Sequence, residues 1–158
     1  MNSRKIVLML VMLAAVTAAC ATGRGTPLYR RDIGTASLMD AVSLANQVLA
    51  RKAYEVESSD TVPDIRIVTH WKVRQPFPDE AELGITNAES RIIVVGRRRG
   101  QTEMGAFYAI TLQLENRVRV VSAPEWNEAA NTPMFRAYAD EIANEYRRLV
   151  TNIGVRRY

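Results

Sequence analysis

The chain has one cysteine and one histidine in 158 residues. A single cysteine excludes an intramolecular disulfide and any multi-cysteine metal site. A single histidine, His70, excludes a His-rich one. Lysine is scarce too (Lys5, Lys52 and Lys72), so the positive charge is nearly all arginine. Neither sign of charge dominates: the net is +4, or +2 if Arg4 and Lys5 leave with an N-terminal signal. Nucleic-acid binders carry a stronger and more clustered basic footprint, so no nucleic-acid partner is expected. No apolar run reaches the roughly 20 residues that a spanning helix needs. Gly-x-Ser-x-Gly, Ser-x-x-Lys and Asp-x-Asp patterns are missing, and Gly96 to Gly100 lacks the Lys-Ser/Thr of a phosphate loop. His70 falls on the polar face of a strand and reads as a surface residue. The chain therefore reads as non-enzymatic, with no cofactor and no metal. Its 47% apolar and 24% charged content fit one folded domain rather than a disordered chain.

The N-terminus carries the most specific signal. Arg4-Lys5 precedes the apolar run Ile6 to Val16, which has the anatomy of a signal peptide. Val16-Thr17-Ala18-Ala19-Cys20 follows. Ordinary signal-peptidase cleavage fits Ala19-Cys20-Ala21 and, less well, Thr17-Ala18-Ala19. An uncleaved anchor is the third option. The sole cysteine favours another reading, because Thr17-Ala18-Ala19-Cys20 resembles the lipobox of bacterial lipoproteins. That resemblance implies cleavage between Ala19 and Cys20, lipid attachment at Cys20, and a mature chain of about 140 residues. Several acyl chains are needed for durable anchoring, since one binds with K only on the order of 10⁴ M⁻¹. Ala21 is not the aspartate that favours inner-membrane retention. The expectation is a periplasm-facing protein, on the outer membrane if the host is Gram-negative.

The organisation expected is a signal peptide over 1–19, a lipidated cysteine and flexible tether over 20–34, one domain over 35–154 and a tail over 155–158. Gly23, Gly25 and Pro27 mark the tether. Ser37 and Asp40 open an amphipathic helix with Leu38, Ala41, Val42, Ala45, Val48 and Leu49 on one stripe, ending near Arg51 or Lys52. Tyr54 to Glu57 reads as a short edge strand. Asp64 to Arg74 reads as a half-buried strand, with Ile65, Ile67, Thr69, Trp71 and Val73 on one face and Arg66, Val68, His70, Lys72 and Arg74 on the other. Gln75 to Glu89 is a long connection. Ile92 to Val95 marks a central strand, Arg97-Arg98-Arg99 a basic hairpin tip, and Gly105 to Glu115 an alternating strand. Glu115-Asn116 is a turn candidate before a strand over Arg117 to Val121, with Val118 and Val120 inward and Arg117 and Arg119 outward. Pro124 to Thr132 reads as a loop containing Trp126. Thr132 caps a second helix, with Pro133 at its first position, Phe135, Tyr138, Ala139, Ile142, Tyr146, Leu149 and Val150 on its apolar stripe, and Gly154 at its end. The two helices and four to five strands predict an α+β two-layer sandwich, with both helices on one face of a mainly antiparallel sheet.

Leu49 to Tyr54 followed by Pro63-Asp64-Ile65 resembles a broad group of small α+β envelope lipoproteins over about residues 38 to 75. Those proteins carry glycine where this chain has Ala53. The resemblance implies a lipid-anchored binding or assembly module, with the membrane as partner through Cys20 and an envelope protein or glycan as the other. An alternative is binding of an anionic lipid or glycan by Arg97, Arg98 and Arg99, whose guanidiniums suit phosphate and carboxylate. A cell-wall-acting enzyme with two dispersed carboxylates is a further alternative.

Overall fold

The computed structural model describes residues 28–102 and 105–156. The long hairpin of β5 (Ile85–Thr102) and β6 (Gly105–Val120) forms the spine of the sheet. Each spine strand pairs with two shorter ones on its outer edge. β3 (Ile65–Thr69) and β4 (Lys72–Arg74) lie along β5, while β1 (Leu28–Ser37) and β7 (Ala123–Glu128) lie along β6. β2 (Val56–Asp60) pairs with β3 and forms one edge, its side chains all exposed. Every pairing is antiparallel.

Two long helices cover one face. α1 (Leu38–Arg51) starts at Ser37, whose hydroxyl accepts the Asp40 N–H. α3 (Pro133–Arg156) starts after Thr132, whose hydroxyl accepts the Phe135 N–H at 3.3 Å. The core joins Ala41, Val48 and Leu49 of α1 and Phe135, Ile142 and Tyr146 of α3 to Ile65, Ile67, Ile92, Val94, Ile110, Leu112 and Leu114 of the sheet. Period-two alternation sends these residues to the helix face and their neighbours to the other. Gly96 belongs to this packing, since a Cβ there would come within 2.9 Å of Ile65 and 3.1 Å of Ile110.

The four-to-five-stranded sandwich with two helices is therefore corrected, among the described residues, to one seven-stranded antiparallel sheet with three helices. The sheet is larger because several connections are strands. β1 begins inside the segment read as a tether, and β7 occupies the segment read as the Trp126 loop. Its Pro124 costs no ladder bond on an outer strand. Asn116 is not in a turn: it sits within β6, 2% exposed, because its side chain joins a buried network. Gln75 to Glu89 is not a bare loop either, since the one-turn helix α2 (Pro78–Ala81) and the start of β5 lie within it. α3 runs past Gly154 to Arg156.

The strand read over Asp64 to Arg74 is interrupted. Val68 pairs with Ile93 and Lys72 with Ser90, so four steps on this strand face three on β5. The extra residue is a β-bulge at His70-Trp71, and it reverses the facing of everything after it. Lys72 and Arg74 turn toward the helices, whereas Val73 is 69% exposed on the opposite face.

α1 ends in a reverse turn. The Tyr54 N–H donates to Leu49 O at 2.9 Å and the Ala53 N–H to Ala50 O at 3.0 Å, with Ala53 at φ 54°. This six-to-one, five-to-two pattern places a left-handed residue where glycine is favoured, and a Cβ there costs about 1 kcal/mol. Ala53→Gly is expected to raise the unfolding free energy by about 0.5–1 kcal/mol, read from the denaturant midpoint at unchanged m-value.

Candidate functional site

The helix-free face of the sheet carries a ladder of alternating arginine and tryptophan. Because of the bulge, Trp71 lies on this face beside Arg91 of β5 and Arg117 of β6. The Arg91 and Arg117 guanidinium carbons are 4.7 and 4.0 Å from its ring centroid. Arg117 also lies 5.3 Å from Trp126 of β7, and Arg119 lies 4.2 Å from the same ring. The order is Arg91, Trp71, Arg117, Trp126, Arg119. Each contact is a cation–π interaction worth about 0.5–2 kcal/mol, depending on its exclusion from water.

Carboxylates complete the ladder. Glu115 accepts from Arg91 at 2.5 Å, and Glu89, almost fully buried, accepts from Arg117. Burial, and then the adjacent Arg119 charge, push the Arg117 guanidinium below the ordinary arginine range. Leu28, Trp71, Arg91, Glu115, Trp126 and Glu128 line a groove of about 310 Å³ around it. Four strands and the bulge between β3 and β4 supply these side chains, so the groove is set by sheet register rather than by a mobile loop. A tryptophan held between guanidiniums offers its edge, not its face, to a ligand. The groove therefore presents fixed donors, fixed acceptors and an apolar wall.

Directly behind the ladder, on the helix face, lies a buried polar network. Arg74 donates to both Glu80 carboxylate oxygens at 2.6 Å and to Asn116 Oδ1 at 2.8 Å. Asn116 Nδ2 donates back to Glu80 at 3.0 Å, and the Phe77 N–H donates to it at 2.9 Å. The Arg74 guanidinium also packs over Phe77 at 4.3 Å and Phe135 at 5.4 Å. Burial raises the Glu80 pKa, but the hydrogen bonds from Arg74, Phe77 and Asn116 and the Arg74 charge outweigh it. Its carboxyl is held below the usual range. Beside it, Asp79 accepts the Met134 N–H at 2.9 Å, putting a negative charge at the α3 N-terminus. This network ties β4, α2, β6 and α3 together, and it has the chemistry of a structural clamp.

The residues singled out from sequence fall elsewhere. Ala19 and Cys20 lie outside the described residues. Arg97, Arg98 and Arg99 are exposed, but on β5 rather than at a hairpin tip. Arg97 and Arg98 face Ala109 and Tyr108 across the ladder, Arg99 sits at a register shift, and Gly100 faces Phe107, because β5 continues to Thr102. The Arg98 N–H donates to Asp64, and its guanidinium donates to Gln101 at 2.8 Å. His70 is exposed at the bulge, where its N–H donates to Glu55 O at 2.9 Å. Among the described residues no group of three or more His, Cys, Asp or Glu is placed to hold a metal ion. No described helix is long and apolar enough to cross a membrane.

Sequence reasoning placed Arg117 and Arg119 outward but missed their stacking on Trp71 and Trp126. The available signal was two tryptophans in a chain with few aromatics, each near outward arginines. Neither family models nor curated proteins match the chain.

Glu80→Gln is expected to cost about 3 kcal/mol, because it leaves Arg74 buried without its counter-charge. Glu80 is depressed in the folded state, so its contribution is complete above the unfolded carboxyl pKa of about 4.3 and disappears as pH falls through the folded value. The gap between wild type and variant should therefore close below about pH 4 in urea titrations. For the ladder, a double-mutant cycle on Arg117→Ala and Trp71→Ala should return a coupling of about 1 kcal/mol.

Proposed function

We propose that this chain is a lipid-anchored, periplasm-facing envelope lipoprotein whose domain is a non-enzymatic binding or assembly module. The arginine–tryptophan ladder is its binding face. The observation that supports this is the preorganised groove on a sheet face that no described element covers. Five ring and guanidinium planes are not needed to stabilise an outer sheet face, and stacking them in order fixes side chains that would otherwise cost entropy on binding. The lipobox-like Cys20 motivates the anchor. A domain held at a membrane by its N-terminus would present the groove to an envelope protein or glycan.

A second reading uses Arg97, Arg98 and Arg99 to hold an anionic lipid or glycan. It is favoured by their exposure and by the lack of an ion pair to any of them among the described residues. The two surfaces lie at opposite ends of β5, so alanine substitution of one leaves the other intact.

Cys20→Ala is expected to move the protein out of the membrane fraction, and the wild-type mature N-terminus to carry a diacylglyceryl mass at Cys20. A wild type without acyl mass would contradict the anchor. Crosslinking in the native envelope should yield adducts that Trp126→Ala abolishes and the triple arginine-to-alanine variant at 97–99 retains; the reverse pattern would favour the second surface.

A further inference from the structure

We propose that the Trp126 end of the groove takes the head group of a zwitterionic phospholipid, with its phosphate against Arg119 and its ammonium against Glu128. This rests on the reading of Cys20 as a lipid anchor. Within the ladder, Arg91 is paired with Glu115 and Arg117 with Glu89. Glu128 and Arg119 are the ladder charges without an ion pair among the described residues. They are opposite in sign and both adjoin Trp126: Arg119 lies over its ring and Glu128 lines the groove with it. An anion alone would answer Arg119 and meet Glu128 with repulsion, and a cation alone would do the reverse. A phosphate joined to an ammonium by two carbons answers both.

The chain itself favours a bilayer over a soluble ligand. Leu28, which lines the groove, lies eight residues after Cys20. At about 3.3–3.6 Å per residue, that segment holds the groove within roughly 28 Å of the attached acyl chains. Arg97 to Arg99 lie at the far end of β5, about 20 Å beyond Arg91 at about 3.3 Å per residue. The ladder end is thus the membrane-proximal end. Tryptophan and arginine are also side chains that settle at a membrane–water boundary, with apolar bodies and polar tips.

The chain has two tryptophans, Trp71 and Trp126, and both are in the ladder, so intrinsic fluorescence reads this surface alone. The full processed protein is inserted into phosphatidylglycerol vesicles with or without phosphatidylethanolamine, each containing a lipid with a nitroxide on its head group. Quenching should be at least twofold greater with phosphatidylethanolamine, and Arg119→Ala and Glu128→Ala should each remove the difference while the melting temperature falls by no more than about 8 °C. Arg119→Lys, which keeps the charge, should retain part of it. Equal quenching in both vesicles, or variants that behave as wild type, would overturn the proposal. So would a full emission change on adding O-phosphoethanolamine in detergent with no response to vesicles, which would assign a free ligand. The mass of the N-terminus separates the two readings. An acylated protein without the quenching difference overturns the head-group site alone, and a quenching difference in a chain lacking acyl mass overturns the anchor alone.

Discussion

One extra residue between Val68 and Lys72 decides what each face of the sheet carries. Without it, the alternation begun at Ile65 would send Trp71 toward the helices and Arg74 toward solvent. With it, Arg74 turns inward to Glu80 and Trp71 turns outward to Arg91 and Arg117. A bulge accomplishes this because side chains alternate with period two, so one inserted residue exchanges the faces of all that follow. The Thr69 hydroxyl, which accepts the Ile92 N–H at 2.9 Å, takes up a ladder donor next to the break.

The two consequences support one another through the spine hairpin. Asn116 and Arg117 are neighbours on β6 and point to opposite faces. Asn116 holds the clamp of Arg74 and Glu80, and Arg117 sits between the two tryptophans. Fixing β4 against β5 from the helix side therefore fixes Trp71 against the ladder on the other side. The clamp also reaches α3 through Phe135 and, beside it, through Asp79 and Met134. A buried ion pair is not by itself a large source of stability, but breaking one half of it is costly. That asymmetry suits a device that specifies one register. The outer charges between α1 and α3, such as Arg51 with Glu145 and Lys52 with Glu141, are exposed pairs of small worth.

Local patterns were legible in the sequence, and long-range pairings were not. The apolar stripes of α1 and α3, the Ser37 and Thr132 caps, and the alternation of Tyr108 to Leu114 are periodic or positional signals, and each appears where its pattern placed it. The bulge has no such signal, so Trp71, Val73, Lys72 and Arg74 were assigned to the wrong faces. Asn116 carries a turn-like residue type, but its amide is consumed by Arg74 and Glu80, and burial overrides its local preference. The arginine run ended in an assumed tip because Gly100 looks like a turn residue. The strand passes through it because the Phe107 ring packs against the space a side chain would fill, 2.9 Å from an ideal Cβ. The ladder needed residues from the bulge before β4 and from β5, β6 and β7 together, and only the sheet topology brings them into line.

The arrangement makes the open face a fixed surface with two signs of charge and two aromatic walls, close to the point where the chain leaves for Cys20. Arg117 is held between the two tryptophan rings in the protein at rest. The direct test is the side-chain NMR spectrum of Arg117 in the unliganded protein. Stacking against Trp71 at 4.0 Å and Trp126 at 5.3 Å predicts ring-current shifts of its δ and γ protons to high field, with cross-relaxation to both indoles. Random-coil shifts and no cross-relaxation would contradict a preformed ladder.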